Sequence, residues 1–198
     1  MHPTKAPEPD GKPALFFQKF WQVVGPSVSS VVLGVLNGVD EISLINHTFI
    51  VLIPKIKNPK LMSEFRPISL CNVVYKIIAK MLANRLKEVL PSVISDTQSA
   101  FIPGRLITDN ALVAFEVFQF RKNKRAGKDG CLALKLDKSK DYDRVEWPFI
   151  NQMMLLLGFP QRFVQLLMNY VSTVSFSVLV NGKPSRMFYP TRGLRQGD

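Results

Sequence analysis

Gly130-Cys131-Leu132-Ala133-Leu134-Lys135-Leu136-Asp137-Lys138-Ser139-Lys140-Asp141-Tyr142-Asp143 is the stretch on which the reading of the fold turns. Its first half alternates with period two. That spacing predicts a strand with Leu132, Leu134 and Leu136 on one side and Ala133, Lys135 and Asp137 on the other. Such a strand packs three leucines into a core and ends on a carboxylate at its open face. A buried Asp is costly unless it is paired or holds a cation, so Asp137 is expected to border a wet site. Strand ends that feed loops are where α/β folds place ligands. Asp is also a common turn residue at the end of a surface strand, and the spacing leaves both readings open.

Working outward, Leu136-Asp137-Lys138-Ser139-Lys140-Asp141-Tyr142-Asp143-Arg144-Val145-Glu146-Trp147 does not stand alone. Four further stretches accompany it: Lys5-Ala6-Pro7 with Pro9-Asp10-Gly11, Phe65-Arg66-Pro67-Ile68-Ser69-Leu70, Gln98-Ser99-Ala100-Phe101-Ile102-Pro103-Gly104-Arg105, and Arg192-Gly193-Leu194-Arg195-Gln196-Gly197. In that order, across nearly the whole chain, they resemble the reverse transcriptases of non-LTR (LINE-type) retrotransposons, plant elements looking closest.

The resemblance implies an α/β (α+β) chain, the fingers and partial palm of a right-hand polymerase. Residues 1–128 would be fingers-like with an N-terminal extension, and 129–198 a partial palm. The chain stops at Asp198, before the second catalytic-aspartate hairpin, and that hairpin, the rest of the palm and the thumb are expected to be missing. It further implies template-directed DNA synthesis from an RNA template, a DNA primer and deoxynucleoside triphosphates, with two Mg²⁺ ions. Asp137 would be the first catalytic and metal-binding carboxylate, completed by the backbone carbonyl of Lys138. Lys55 and Arg66 would face the triphosphate. Tyr142 would exclude a 2′-hydroxyl, and Gln196 and Gly197 would meet the templating pair. Arg105, Lys76 and Lys80 are the template-backbone candidates. One carboxylate cannot hold two ions, so residues 1–198 by themselves are expected not to extend a primer.

Three positions depart from the family's pattern. Asp141 stands where a small residue is usual, Glu8 where glycine is usual, and Lys138 where an apolar residue is usual. A carboxylate about 5 Å from a phosphate charge costs roughly 3 kcal/mol at an effective dielectric near 20. All three fit a copy under no selection for activity. Two other readings stay open: a non-catalytic module that binds RNA or RNA–DNA duplex, and a group II intron maturase-like splicing factor with the same motif order.

Composition sets outer limits. A 46% apolar, 10% aromatic chain of 198 residues can build a core. Its formal charge of +11 favours a polyanionic partner, although a solvated basic surface looks the same in composition. Cys71, Cys131, His2 and His47 are too scattered for a zinc site. The proline-rich start is no signal peptide, and Val28–Leu36 is too short to cross a bilayer. An intracellular location, nuclear or in a cytoplasmic ribonucleoprotein, is the expectation.

Periodicity predicts helices over Pro13–Val24 and Pro26–Leu36, the first with a core stripe of Phe16, Phe17, Phe20, Trp21 and Val24. A strand over Thr48–Ile53 should lead into the basic loop Lys55–Lys60. The clearest helix runs from a cap at Asn72 to a stop at Pro91, with Lys76 and Lys80 on a basic face. A helix from about Thr108 to Lys122 follows, then the basic cluster Arg121, Lys122, Lys124, Arg125 and Lys128, read first as a linker. Helices over Glu146–Leu157 and Gln161–Tyr170 should flank Gly158-Phe159-Pro160. Asn181-Gly182 between Ser175–Val180 and Lys183–Tyr189 signals a hairpin, since both turn residues must take positive φ.

Overall fold

The computed structural model describes residues 11–123, 132, 134–138 and 140–195. The motif at Lys5–Asp10, Glu8, Lys124, Arg125, Lys128, Cys131, Ala133, Ser139, Gln196, Gly197 and Asp198 lie outside the described residues. The chain divides into two compact units, Met1–Met81 with Lys140–Asp198, and Leu82–Ser139.

The first unit is built on a four-stranded mixed sheet. Strand β1 (His47–Pro54) lies centrally, antiparallel to β2 (Phe65–Cys71) and parallel to β3 (Ser175–Val180), with β4 (Lys183–Pro184) outside β3. The β-branched run Thr48–Ile53 suits a strand that is hydrogen-bonded on both sides. Pro67 sits in β2, where its fixed φ and missing N–H suit a strand at the sheet's edge. Between β1 and β2 the chain turns back through a short 3₁₀ turn, Met62–Glu64. The Glu64 carboxylate accepts the N–H groups of Leu61 and Lys60, and these bonds, Leu61 first, hold its pKa below the ordinary 4.5.

Asn181 and Gly182 have φ of +51° and +77°, as the expected hairpin requires. Its second strand is shorter than expected. Leu179 faces Pro184, but Phe176 faces Phe188, so one extra residue bulges from the returning strand.

Helices α1 (Ala14–Lys19) and α2 (Trp21–Asn37) break at Phe20, not at the expected Gly25–Pro26. Pro26 stands inside α2, in its second turn, where losing one N–H leaves the rest of the ladder intact. Of the expected aromatic stripe only Phe17 is buried, while Phe20 and Trp21 are 46% and 45% exposed. The α2 face that faces inward is Val28, Val32 and Val35.

Helix α3 (Val73–Val93) begins where expected, the Asn72 side chain accepting the Val74 N–H at 2.9 Å. It runs past Pro91 for two residues, because proline bars only its own N–H bond and crowds the preceding turn. Tyr75, Ile78 and Leu82 form its buried line. Helices α5 (Trp147–Leu156) and α6 (Gln161–Ser172) fall as expected on either side of Gly158-Phe159-Pro160.

In the second unit, helix α4 (Ile107–Asn123) matches its expected span, yet none of its residues is buried. The described residues of the strand expected over Leu132–Asp137 do not form one: residues 132 and 134–138 adopt no regular structure, and Leu132, Leu134 and Leu136 are 91%, 73% and 84% exposed. A strand draws its hydrogen bonds from a neighbour, and no partner pairs with this stretch among the described residues. No helix among the described residues is long and apolar enough to cross a membrane.

Candidate functional site

In the first unit a cavity of 390 Å³ opens beside the sheet. Its floor is apolar, including Ile50, Val171, Val174 and Phe176, and its polar border includes Ser69, Asp143, Arg192 and Arg195. The size and the mixed lining suit a small-molecule site. Neither Arg66 nor Tyr142 lines it: Asp143, next to Tyr142, does, whereas Pro67 and Ser69 of β2 line it and strand alternation turns the adjoining Arg66 to the sheet's other face.

Arg66 lies on β2 opposite Ile53 of β1, exposed, and no carboxylate of the described residues pairs with it. Lys55 follows β1 directly. Its backbone N–H donates to the Glu64 carbonyl at 2.7 Å and its Nζ to the Ser63 carbonyl at 2.9 Å, so the basic connection is a folded turn with an exposed cation. Tyr142 opens a 3₁₀ turn, Tyr142–Arg144, and is 45% exposed. Lys76 and Lys80 stand one turn apart on α3, Lys80 exposed and Lys76 half-buried.

Three candidates belong to the second unit. The Asp137 carboxylate is exposed in irregular chain, as is Lys138. Arg105 is occupied locally. Its Nη1 donates to the carbonyls of Ser95 and Gln98 at 2.6 and 2.7 Å, and its Nη2 meets Asp96 Oδ1 at 3.0 Å. Its Nη2 also donates to the Ile94 carbonyl at 3.4 Å, so the guanidinium closes its own loop and its Nε–H edge is what is left for a template.

One side chain that lines the cavity was not singled out by sequence reasoning. Arg195 reaches into the sheet, where Nη1 donates to Thr48 Oγ1 at 3.1 Å and Cys71 Sγ at 3.5 Å, and Nη2 to Asn46 Oδ1. Thr48 and Cys71 are directly opposed on β1 and β2. The guanidinium also lies 3.9 Å from the centre of the Tyr75 ring, which stacks on Tyr170 at 4.1 Å. Asn46 completes the network by donating to the Tyr170 carbonyl at 3.1 Å and Thr173 Oγ1 at 2.8 Å. Every acceptor of Arg195 is neutral, so its charge is stabilised by dipoles and a ring, and no carboxylate of the described residues pairs with it.

His47, adjacent to this network, holds Ser175 Oγ 2.9 Å from its Nδ1, and burial lowers its pKa below the ordinary 6.5. The unfolded chain then takes up this proton first. The stability that His47 contributes is present above pH about 6.5 and is lost as pH falls below it. Thermal melts at pH 7.5 and 5.5 are expected to show a drop that His47→Gln reduces; equal drops in both proteins would assign the pH response elsewhere.

A reverse transcriptase (RNA-dependent DNA polymerase) family model matches residues 53–198. The chain belongs to the reverse transcriptase family. It is 32% identical over 197 residues to the Xenopus laevis "Transposon TX1 uncharacterized 149 kDa protein", an alignment covering 100% of this chain and 15% of that protein. It is 31% identical over 149 residues to the Drosophila melanogaster "Retrovirus-related Pol polyprotein from type-2 retrotransposable element R2DM", covering 75% of this chain and 14% of that protein. The chain thus spans a small part of each relative, and both are proteins of transposable elements, in keeping with the motif resemblance. The mixed α/β content is that of a partial reverse transcriptase domain.

Reverse transcriptases as a family use divalent metal ions. Among the described residues no three His, Cys, Asp or Glu side chains cluster closely enough to hold one. A hard, six-coordinate ion asks for more protein oxygen than the lone Asp137 carboxylate. The described residues by themselves do not fit a two-ion site.

Proposed function

We propose that this chain is the nucleotide- and template-handling part of a retrotransposon RNA-directed DNA polymerase that acts inside the cell, in the nucleus or a cytoplasmic ribonucleoprotein. Residues 1–128 serve as fingers and 129–198 as part of the palm. Partners are an RNA template, a DNA primer and deoxynucleoside triphosphates, with two Mg²⁺ ions in the working enzyme. Asp137 is the catalytic carboxylate, and the Lys138 carbonyl stands with it. Arg66 and Lys55 bind the triphosphate, Tyr142 meets the sugar, and Gln196 and Gly197 face the templating pair. Lys76, Lys80 and the open edge of Arg105 follow the template backbone.

The observation that supports this best is Arg66 itself, exposed on the edge strand β2 with no carboxylate of the described residues paired to it. An exposed, unpaired arginine fork is suited to phosphate oxygens, which it can engage with two parallel bonds. Titration of the chain with a deoxynucleoside triphosphate tests it. Arg66→Ala is expected to weaken binding by about ten- to a hundredfold, the worth of a charge-assisted contact of roughly 1.5–3 kcal/mol. Arg66→Lys should recover part of that. Unchanged affinity in Arg66→Ala would remove the triphosphate role.

A further inference from the structure

The segment Arg192–Arg195 is fastened at both ends. Toward the Tyr142 turn, the Gly193 N–H donates to the Val145 carbonyl at 2.8 Å and the Leu194 N–H to the Tyr142 carbonyl at 2.7 Å. The Trp147 indole N–H donates to the Gly193 carbonyl at 2.8 Å, and Arg192 pairs with Glu146 at 3.1 Å. At the other end Arg195 is seated in the sheet on Asn46, Thr48 and Cys71. Gly193 has φ of +90°, and a Cβ there would stand 3.1 Å from the Asp143 carbonyl oxygen and 3.2 Å from that of Tyr142. Both facts call for glycine.

We infer that residues 192–195 form a strap that fixes where the Tyr142 ring stands, and that Gly193 and Trp147 are positioning residues for discrimination between deoxyribose and ribose. This rests on the reading of Tyr142 as the residue that meets the sugar. No hydrogen bond or ring contact to another described residue locates the Tyr142 side chain, so its backbone does. That backbone is held by the strap. Excluding a single hydroxyl by shape needs the excluding group placed to within about 0.5 Å. A ring carried on a short exposed turn reaches that placement only if the turn itself is tied to a rigid element, here the sheet through Arg195.

The test uses the purified chain and competition between deoxyguanosine triphosphate and guanosine triphosphate for a fluorescent deoxynucleotide. Wild type is expected to prefer the deoxynucleotide, and Tyr142→Ala to bring the ratio close to one. Gly193→Ala and the milder Trp147→Phe, which keeps an aromatic ring while removing the indole N–H bond and some bulk, should each lower the ratio by about threefold or more. Deoxynucleotide affinity should move less than the ratio, since the ring is displaced but the phosphate contacts remain. Circular dichroism melts check that both variants fold. If Tyr142→Ala abolishes the preference while both strap variants keep the wild-type ratio, the strap has no part in discrimination. If wild type shows no preference, or Tyr142→Ala keeps it, the sugar role of Tyr142 falls and the inference with it.

Discussion

Asn46→Leu is expected to lower the stability of the first unit by about 3–5 kcal/mol, read as a fall in the urea midpoint at pH 7. Asn46 is fully buried and serves three partners at once: the Tyr170 carbonyl, the Thr173 hydroxyl and the Arg195 guanidinium. Each neutral bond contributes roughly 1 kcal/mol, and stranding a partner costs about 1–3 kcal/mol, more for a charged one. Leucine has nearly the same bulk, so the loss reports polarity rather than a cavity. Domain stabilities are typically about 5–15 kcal/mol, so this one change takes a large share. Thr48→Val, which removes one acceptor and leaves Arg195 its others, should cost markedly less. A loss below about 1 kcal/mol for Asn46→Leu would mean that the network contributes shape alone.

Raising salt from 50 to 200 mM should weaken binding of an RNA–DNA primer–template by about two orders of magnitude. Lys55, Arg66, Lys76 and Lys80 all belong to the first unit. If these four meet phosphates, counterion release gives a slope of roughly −3 to −3.6 in log affinity against log salt, and a fourfold rise in salt costs about 60- to 150-fold. Lys80→Ala should reduce the slope by roughly one and weaken all sequences alike. The formal charge of +11 makes basic binding unsurprising, so the slope carries the information. A flat response to salt would remove phosphate contacts from the account.

How much of this was legible in sequence depended on whether the signal was local. Strand β1, the turn at Asn181-Gly182 and the break at Gly158-Phe159-Pro160 are each written within a few residues, and each fell in place. The leucine alternation before Asp137 is just as clear locally, yet a strand also needs a neighbour, which period two does not supply. Pro26 and Pro91 misled because proline marks a lost bond, not an end. Arg195 was legible only as part of a motif. Its partners Cys71, Thr48 and Asn46 lie 124, 147 and 149 positions away, and nothing near it in sequence announces them. For the same reason the closest description of the candidate site came from the fold, while the family motifs named its residues.

The parallel pairing of β1 with β3 carries a kinetic consequence. Residues 48–54 can form their antiparallel hairpin with β2 early, but the other edge of residues 47–50 waits for residues 175–178. Closing so long a loop has to precede the reward of pairing, which slows folding. A ribosome making this chain would therefore hold a half-finished sheet with one bare edge until residues 175–178 emerge, the interval in which it is most open to aggregation and most in need of a chaperone or of early RNA capture.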